Sequence, residues 1–213
     1  MSPIFDWLFG QYDGTPAHLV TLEIIAVVFG LLSVWFSKRD NILVFPTGII
    51  STLIFVYILL IYGLLGDMMI NGYYFIMSLY GWILWSKKNE KEHYLPITRL
   101  ESKRNKQLAV LIFVLTILFV VVIYSYFGKW DTWTAYVDTF TTAIFFVGMW
   151  LMAKKKIENW LFWIVGDLIS IPLYFYKGLV FSVVQYLIFT IIAYYGYKAW
   201  QKHINEPNKT LLK

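Results

Sequence analysis

The sequence predicts an all-α integral membrane protein with seven transmembrane helices in a 3+1+3 arrangement of parallel repeats. Three observations support this fold class. Of the 213 residues, 59% are hydrophobic and only 15% are charged, whereas soluble domains carry about 25% charged residues. Seven apolar segments follow one another, each near the ~20 residues that cross a bilayer as a helix. Finally, motifs of the first three segments recur in the last three, as internal repeats of transporters do.

The seven apolar segments lie near 18–36, 43–63, 68–86, 107–127, 133–153, 159–176 and 178–198. Short loops join them, except for a polar linker at 87–106, so we expect one transmembrane domain over 1–213. The first basic residue is Lys38, so a cleavable signal peptide is not expected. The absence of cysteine excludes disulfides and thiolate metal sites.

Lysine and arginine collect on one side of the predicted bundle. Two follow the first segment, and others lie in the linker, at 154–156 and in the C-terminal tail, whereas the opposite side has only Lys129 and Lys177. The positive-inside rule therefore predicts the N-terminus outside and the C-terminus inside. The same asymmetry explains the net charge of +5, so the lipid bilayer is an expected partner and nucleic acid is not.

The repeat rests on two motifs. They recur at offsets of 118 and 115 residues: 38–41 with Gly48 against 156–159 with Gly166, and 80–85 against 195–200. We predict repeat one over 18–86, a linker helix at 107–127 and repeat two over 133–200. Because one helix joins the halves, both have the same orientation, and a substrate site is expected between them near mid-membrane.

The sixth segment carries the most informative polar stripe. Trp163, Asp167, Ser170 and Tyr174 follow the i, i+4, i+7, i+11 spacing and share one helix face. An ionised side chain at the bilayer centre costs about 3 kcal/mol or more, so such residues usually face a cavity or a substrate path. Asp167 is either a structural acid bonded to a neighbouring helix or the charge partner of a cationic substrate. The nearby Trp163 favours the second interpretation, because an aromatic face also attracts a cation.

Other helices offer polar side chains that could complete a site. Amides, hydroxyls and a phenol of this kind, each able to donate and accept hydrogen bonds, are Asn71, Tyr74 and Ser78 on the third segment, Gln185 on the seventh, and Thr47 and Ser51 on the second. Hydrogen bonding between helices, worth about 0.6 kcal/mol each, is an equally good explanation of any single one. Pro46 and Pro172 each predict a bend that could help to gate the cavity.

Several classes of function lack their residues. No paired catalytic constellation is present, so an enzyme is not expected, and the positions of the three histidines predict neither a metal nor a cofactor. A seven-helix receptor or sensor is the alternative from another class, but no loop or tail offers an effector module. The oligomeric state stays open, a homo-oligomer included.

The motifs resemble those of the PnuC nicotinamide riboside transporters. The resemblance spans about 22–200 and rests on 158–161, the pair Trp163 and Asp167, 171–174, 177–179 and 80–85. It implies a 3+1+3 architecture similar to the SWEET sugar transporters. It also implies facilitated diffusion without ion or ATP coupling, with the substrate trapped by phosphorylation in the cytoplasm. Members that resemble thiamine transporters, and others proposed for riboflavin, belong to the same family.

The sequence therefore predicts an inner (plasma) membrane uniporter for nicotinamide riboside, with thiamine or riboflavin as alternatives. Nicotinamide riboside and thiamine are both aromatic cations, so Trp163 is expected to stack on the ring and Asp167 to complement its charge. Asn71, Ser78 and Gln185 are expected to hydrogen-bond its amide or hydroxyl groups.

Overall fold

The computed structural model describes residues 14–62, 65–88, 94–128, 130, 132–176 and 180–206. These residues form seven α-helices and no β-strand: α1 Ala17–Lys38, α2 Val44–Ile61, α3 Leu65–Ser86, α4 Lys103–Tyr126, α5 Thr134–Ala153, α6 Asn159–Tyr176 and α7 Val180–Asn205. Four of them, α1, α2, α4 and α5, are long and apolar enough to cross a membrane by length and composition. The predicted all-α class is confirmed, and all seven helices fall where apolar segments were predicted.

Some helices extend beyond the apolar segments. The helix α4 begins at Lys103 and α7 continues to Asn205, because polar residues extend a helix through the same backbone hydrogen bonds after the apolar run has ended. The structure removes the reason for expecting a bend at Pro46. This proline is the third residue of α2, where its missing N–H would have no helical partner anyway. Pro172, in contrast, lies inside α6.

The helices pack in a closed order. We call α1–α3 the first half and α5–α7 the second half. In each half the middle helix contacts both neighbours: α2 packs on α1 and α3, and α6 packs on α5 and α7. The halves meet through α1 with α7 and through α3 with α5, while α4 packs on α5. Six helices thus form a ring, and the contact of α1 with α7 is the counterpart of the contact of α5 with α3.

Equivalent aromatic pairs pack at one end of the six-helix ring. We call this end the basic end, since it carries the α1–α2 and α5–α6 turns with Lys38, Arg39 and 154–156. The ring of Phe45 meets that of Trp85 edge to face at 5.0 Å between centroids. The ring of Trp160 meets that of Trp200 in the same way at 5.5 Å.

Two glycines and two indole hydrogen bonds complete these pairs. A side chain on Gly81 would overlap the Phe45 ring, and one on Gly196 would overlap the Trp160 ring. The indole Nε1 of Trp85 donates to the carbonyl of Ala153 at 3.1 Å, and that of Trp200 donates to the carbonyl of Ser37 at 3.0 Å. Each half therefore binds the end of the first helix of the other half.

An ion pair joins the two turns of the basic end. Asp40 and Lys155 both have a left-handed backbone, with φ of 54° and 50°, and they lie 115 residues apart in the sequence. The Nζ of Lys155 is 2.7 Å from Oδ1 of Asp40 and 4.1 Å from the centroid of the Trp85 ring. Because the rings, glycines and turns all repeat at 115 residues, the 118-residue match at 38–41 does not mark structurally equivalent positions.

The linker between α3 and α4 packs on the α5–α6 turn. The backbone N–H of Thr98 donates to the carbonyl of Lys155, and that of Ile157 donates back to the carbonyl of Thr98, both at 3.0 Å. The N–H of Leu100 donates to the Glu158 carboxylate at 2.9 Å. The linker thereby fixes the turn that presents Lys155 and the start of α6.

Candidate substrate site

Asp167 is the acid that the helical spacing placed on the inner face of α6. It is only 2% exposed, and Ser170, one turn further along, is 1% exposed. The Asp167 Oδ2 atom is fully buried and has no hydrogen-bond partner among the described residues. Burying a carboxylate without full pairing is costly, so the structure keeps an acid that its own hydrogen bonds do not satisfy.

Trp163 lies one turn before Asp167 on the same face. Gly148 of α5 makes room for it, since a Cβ on this glycine would lie 3.5 Å from the indole. The indole ring is 5.5 Å from the Phe145 ring, with planes 28° apart, and 6.4 Å from the Tyr74 ring. Trp163 is half-buried, so part of its surface is left for a further contact.

Seven aromatic side chains in ring-to-ring contact form what we call the aromatic cluster: Tyr73, Tyr74, Phe145, Phe146, Trp163, Tyr174 and Tyr186. They come from four helices, α3, α5, α6 and α7, and so from both halves of the chain. The Phe145 ring lies against Gly166, the residue that precedes Asp167. Tyr186 is 5.1 Å from Tyr174 and 6.2 Å from Phe145 between ring centroids. The cluster contains Tyr74, Trp163 and Tyr174, three of the residues that the sequence offered as candidates.

One stacked pair of the cluster joins α3 to α5. The rings of Tyr73 and Phe146 lie 3.8 Å apart and only 7° from parallel. The Tyr73 hydroxyl donates to the carbonyl of Phe146 at 2.9 Å. The residues next to this pair in the sequence, Tyr74 and Phe145, are the ones whose rings contact Trp163.

Two further predicted residues lie near this region. Ser78 is 3% exposed, and a Cβ on Gly48 would lie 3.4 Å from its hydroxyl oxygen, so it packs at the α2–α3 contact. Gln185 is half-buried and directly precedes Tyr186 on α7. Both lie on helices that bring a ring into the cluster.

Three predicted residues use their donors within the protein. The Ser51 hydroxyl donates to the carbonyl of Ala26 on α1 at 2.7 Å. The Thr47 hydroxyl donates to the carbonyl of Leu43 at 2.6 Å, and the Asn71 amide donates to the carbonyl of its helix neighbour Asp67 at 3.0 Å. Bonds of this kind satisfy a polar side chain inside a helix bundle without any ligand.

Phe145 and Tyr186 are cluster members that the sequence did not single out. With 20% aromatic residues in the chain, no single ring is conspicuous in the sequence. The glycines were the available signal, because Gly148 and Gly166 face Trp163 and Phe145 across the α5–α6 contact. A glycine facing a large ring on a neighbouring helix indicates close and specific packing.

Other candidate sites are less suited to a charged ligand. Among the described residues no group of three or more His, Cys, Asp or Glu side chains could hold a metal ion. An open, mainly apolar cleft between α4 and α5 is lined by Ile117, Val121, Trp130, Tyr136, Thr139 and Phe140. None of the predicted site residues lines that cleft, so the aromatic cluster is the better candidate.

A bundle of apolar helices with a buried acid and a cluster of aromatic rings is suited to a multi-pass membrane transporter, and the comparisons with known proteins point to that class. Residues 20–202 match the family described as Nicotinamide mononucleotide transporter, so the chain belongs to that family. It is therefore a multi-pass protein of the inner, plasma membrane, as the sequence predicted.

Individual relatives cover nearly the whole chain. Nicotinamide riboside transporter PnuC of Escherichia coli (strain K12) is 24% identical over 95% of this chain and 92% of its own length. Riboflavin/roseoflavin transporter RibM of Streptomyces davaonensis is 22% identical over 92% of this chain and 91% of its own length. The crystal structure of the Vitamin B3 transporter PnuC has a TM-score of 0.65 at 22% identity and covers 96% of this chain and 91% of its own. This likeness shows that the fold is shared.

Proposed function

We propose that the protein takes up nicotinamide riboside across the inner membrane by facilitated diffusion. The observation that carries the proposal is the buried Asp167 carboxylate, incompletely hydrogen-bonded, one helical turn from the half-buried face of Trp163. A carboxylate beside an aromatic face is suited to a planar aromatic cation, and the pyridinium ring of nicotinamide riboside is one. The relative that bears this substrate's name aligns over almost the full chain.

Thiamine and riboflavin are the alternative substrates of the same mechanism. Thiamine is also an aromatic cation, so the chemistry of Trp163 and Asp167 fits it as well. Riboflavin is supported by the likeness to RibM, but it carries no positive charge for Asp167 to complement. The charge of the site therefore favours the two cations over the flavin.

The proposed roles follow the geometry of each side chain. Trp163 stacks on the ring and Asp167 complements its charge, while Ser170 and Gln185 hydrogen-bond amide or ribose hydroxyl groups. Ser78 belongs to the same proposal at the α3 side, with Tyr74 and Tyr174 as ring contacts. The donors of Thr47, Ser51 and Asn71 already bind backbone carbonyls, so we propose only a supporting part for these three residues.

The architecture proposed for this transport is a 3+1+3 bundle of parallel repeats with the N-terminus outside and the C-terminus inside. The 115-residue spacing of the pairs Phe45–Trp85 and Trp160–Trp200 and the matching helix contacts support the repeat. The collection of basic residues at one end supports the orientation. The basic end then faces the cytoplasm, where phosphorylation of the substrate would trap it.

Uptake into liposomes tests the substrate directly. Purified protein is reconstituted without an ion gradient or ATP, and labelled nicotinamide riboside, thiamine and riboflavin are supplied in parallel. We expect saturable equilibration of nicotinamide riboside that stops at equal concentrations on both sides. Saturable thiamine uptake with none for the riboside would transfer the assignment to thiamine, and accumulation above equilibrium would contradict facilitated diffusion.

A further inference from the structure

The two halves use the same helix crossings with different side chains. At one crossing a Cβ on Gly30 would lie 3.2 Å from the Ser51 hydroxyl, and at the next a Cβ on Gly48 would lie 3.0 Å from the Ser33 hydroxyl. Adding 115 to these four numbers gives Phe145 with Gly166 and Gly148 with Trp163, and both pairs are indeed in contact. The first half thus closes with small residues where the second half holds two aromatic rings.

Both rings of the second half are admitted by a glycine on the facing helix. The ring of Phe145, on α5, lies against Gly166 of α6, where any side chain would overlap it. The ring of Trp163, on α6, lies against Gly148 of α5. As a result, Phe145 lies directly beside Trp163 and against Gly166, the residue that precedes Asp167.

Phe145 also lies between two other rings of the aromatic cluster. It is 5.5 Å from Trp163, with planes 28° apart, and 6.2 Å from Tyr186, with planes only 10° apart. These separations are those of aromatic rings in direct contact, so no further ring fits between them. A ligand ring that stacks on this face of Trp163 must therefore fit beside the Phe145 side chain or displace it.

We propose that Phe145 is a specificity-determining residue whose side-chain size sets the width of the aromatic ring that can stack on Trp163. The inference rests on the proposed function, because it assigns the ring-binding position to Trp163. Because Phe145 fills this side of Trp163, a one-ring pyridinium needs less room beside the indole than the three fused rings of a flavin do. Relatives of this chain are named for each kind of ring, nicotinamide riboside and riboflavin.

The test compares ring selectivity when the side chain at position 145 is shortened. Full-length wild-type protein, Phe145→Leu and Phe145→Ala are purified, and their affinities are measured for 1-methylnicotinamide, a one-ring cation, and lumichrome, a three-ring heterocycle. Uptake of nicotinamide riboside and riboflavin is measured on the same proteins in liposomes. Phe140→Ala is the matched control, since Phe140 lies on the same helix, is exposed and packs edge-on against Phe113 of α4.

We expect the affinity ratio of lumichrome to 1-methylnicotinamide to rise about tenfold in Phe145→Ala, less in Phe145→Leu, and not in Phe140→Ala. An unchanged ratio in Phe145→Leu, the variant that perturbs packing least, would overturn the proposal. So would failure of both ring compounds to bind wild-type protein. If the rings bind and the ratio shifts but no vitamin is taken up, the proposed transport function fails and the role of Phe145 stands.

Discussion

Asp167 and Trp163 show what single residues contribute to this protein. Their shared face is a local property of a helix, since positions four apart lie one above the other. In the structure Asp167 is buried and Trp163 belongs to the aromatic cluster. The fit of the cluster around them is not local. Phe145 and Tyr186 reach Trp163 and Tyr174 from other helices, and no spacing along the chain reveals such a contact.

Removing the Trp163 ring tests its proposed stacking role. We expect Trp163→Ala to weaken binding of nicotinamide riboside about tenfold, because a cation over an aromatic face is worth about 0.5–2 kcal/mol. Titration calorimetry in detergent measures the loss. The control is Trp82→Ala, which removes an exposed indole of α3 and should leave affinity unchanged. Equal losses in both variants would mean that general packing, and not stacking, is affected.

The ion pair between Asp40 and Lys155 gives a pH-dependent prediction. Burial raises the pKa of the Asp40 carboxyl above its ordinary value, and the Lys155 ammonium opposes that rise. In Lys155→Met the opposing charge is gone, so the pKa of Asp40 rises further in the folded state only. A group whose pKa is raised on folding stabilises the protein at low pH, and this contribution is lost as the pH rises through the folded pKa.

We therefore expect Lys155→Met to be less stable than wild type by roughly 2 kcal/mol at pH 8, with a smaller difference at pH 5. The estimate lies below the ~3–5 kcal/mol of fully buried pairs, because the Asp40 side chain is 26% exposed. Unfolding in detergent at several pH values measures it. The double variant Asp40→Asn, Lys155→Met should lose the pH dependence, and a difference that is constant with pH would contradict this explanation.

At the scale of elements, the sequence was most informative about helix number and least informative about helix ends and contacts. Hydropathy located all seven helices because each must supply apolar surface over its length. Hydropathy does not show whether Pro46 lies in the first turn of a helix or inside it, and the expectation of a bend there depended on that difference. The 118-residue match also failed as a structural register, because four similar residues at a basic turn can occur by chance, whereas the ring and glycine contacts repeat at 115.

The paired contacts of the basic end predict a difference between two glycines of α3. A methyl group on Gly81 would overlap the Phe45 ring, whereas a Cβ on Gly72 would meet nothing within 4 Å. We expect Gly81→Ala to lower the free energy of unfolding by about 1–3 kcal/mol through overpacking. Gly72→Ala should be neutral or slightly stabilising, because alanine is the better helix former. Thermal unfolding in detergent compares the two, and equal effects would refute the close packing at Gly81.

The whole molecule is a ring of six helices with its basic residues collected at one end. The charge asymmetry comes from the sequence alone, and the structure adds that the same end is closed by two aromatic pairs and the ion pair. The orientation follows from the positive-inside rule and stays a prediction.

Cysteine labelling tests this orientation cleanly, because the chain has no cysteine of its own. Lys202→Cys lies near the end of α7 at the basic end, and Thr132→Cys precedes α5 at the opposite end; both positions are exposed. In intact inner-membrane spheroplasts we expect an impermeant maleimide to label Thr132→Cys and to spare Lys202→Cys until the membrane is opened. The reverse pattern would invert the proposed topology.

Asp167 and the aromatic cluster are proposed to bind the positively charged ring of nicotinamide riboside. The most direct measurement is calorimetric titration of nicotinamide riboside into wild-type protein and into Asp167→Asn, which keeps the shape of the side chain and removes its charge. We expect saturable binding to the wild type and binding about tenfold weaker, or about 1.4 kcal/mol, to a folded Asp167→Asn. Equal affinity of the two proteins, or no binding to either, would contradict this proposal.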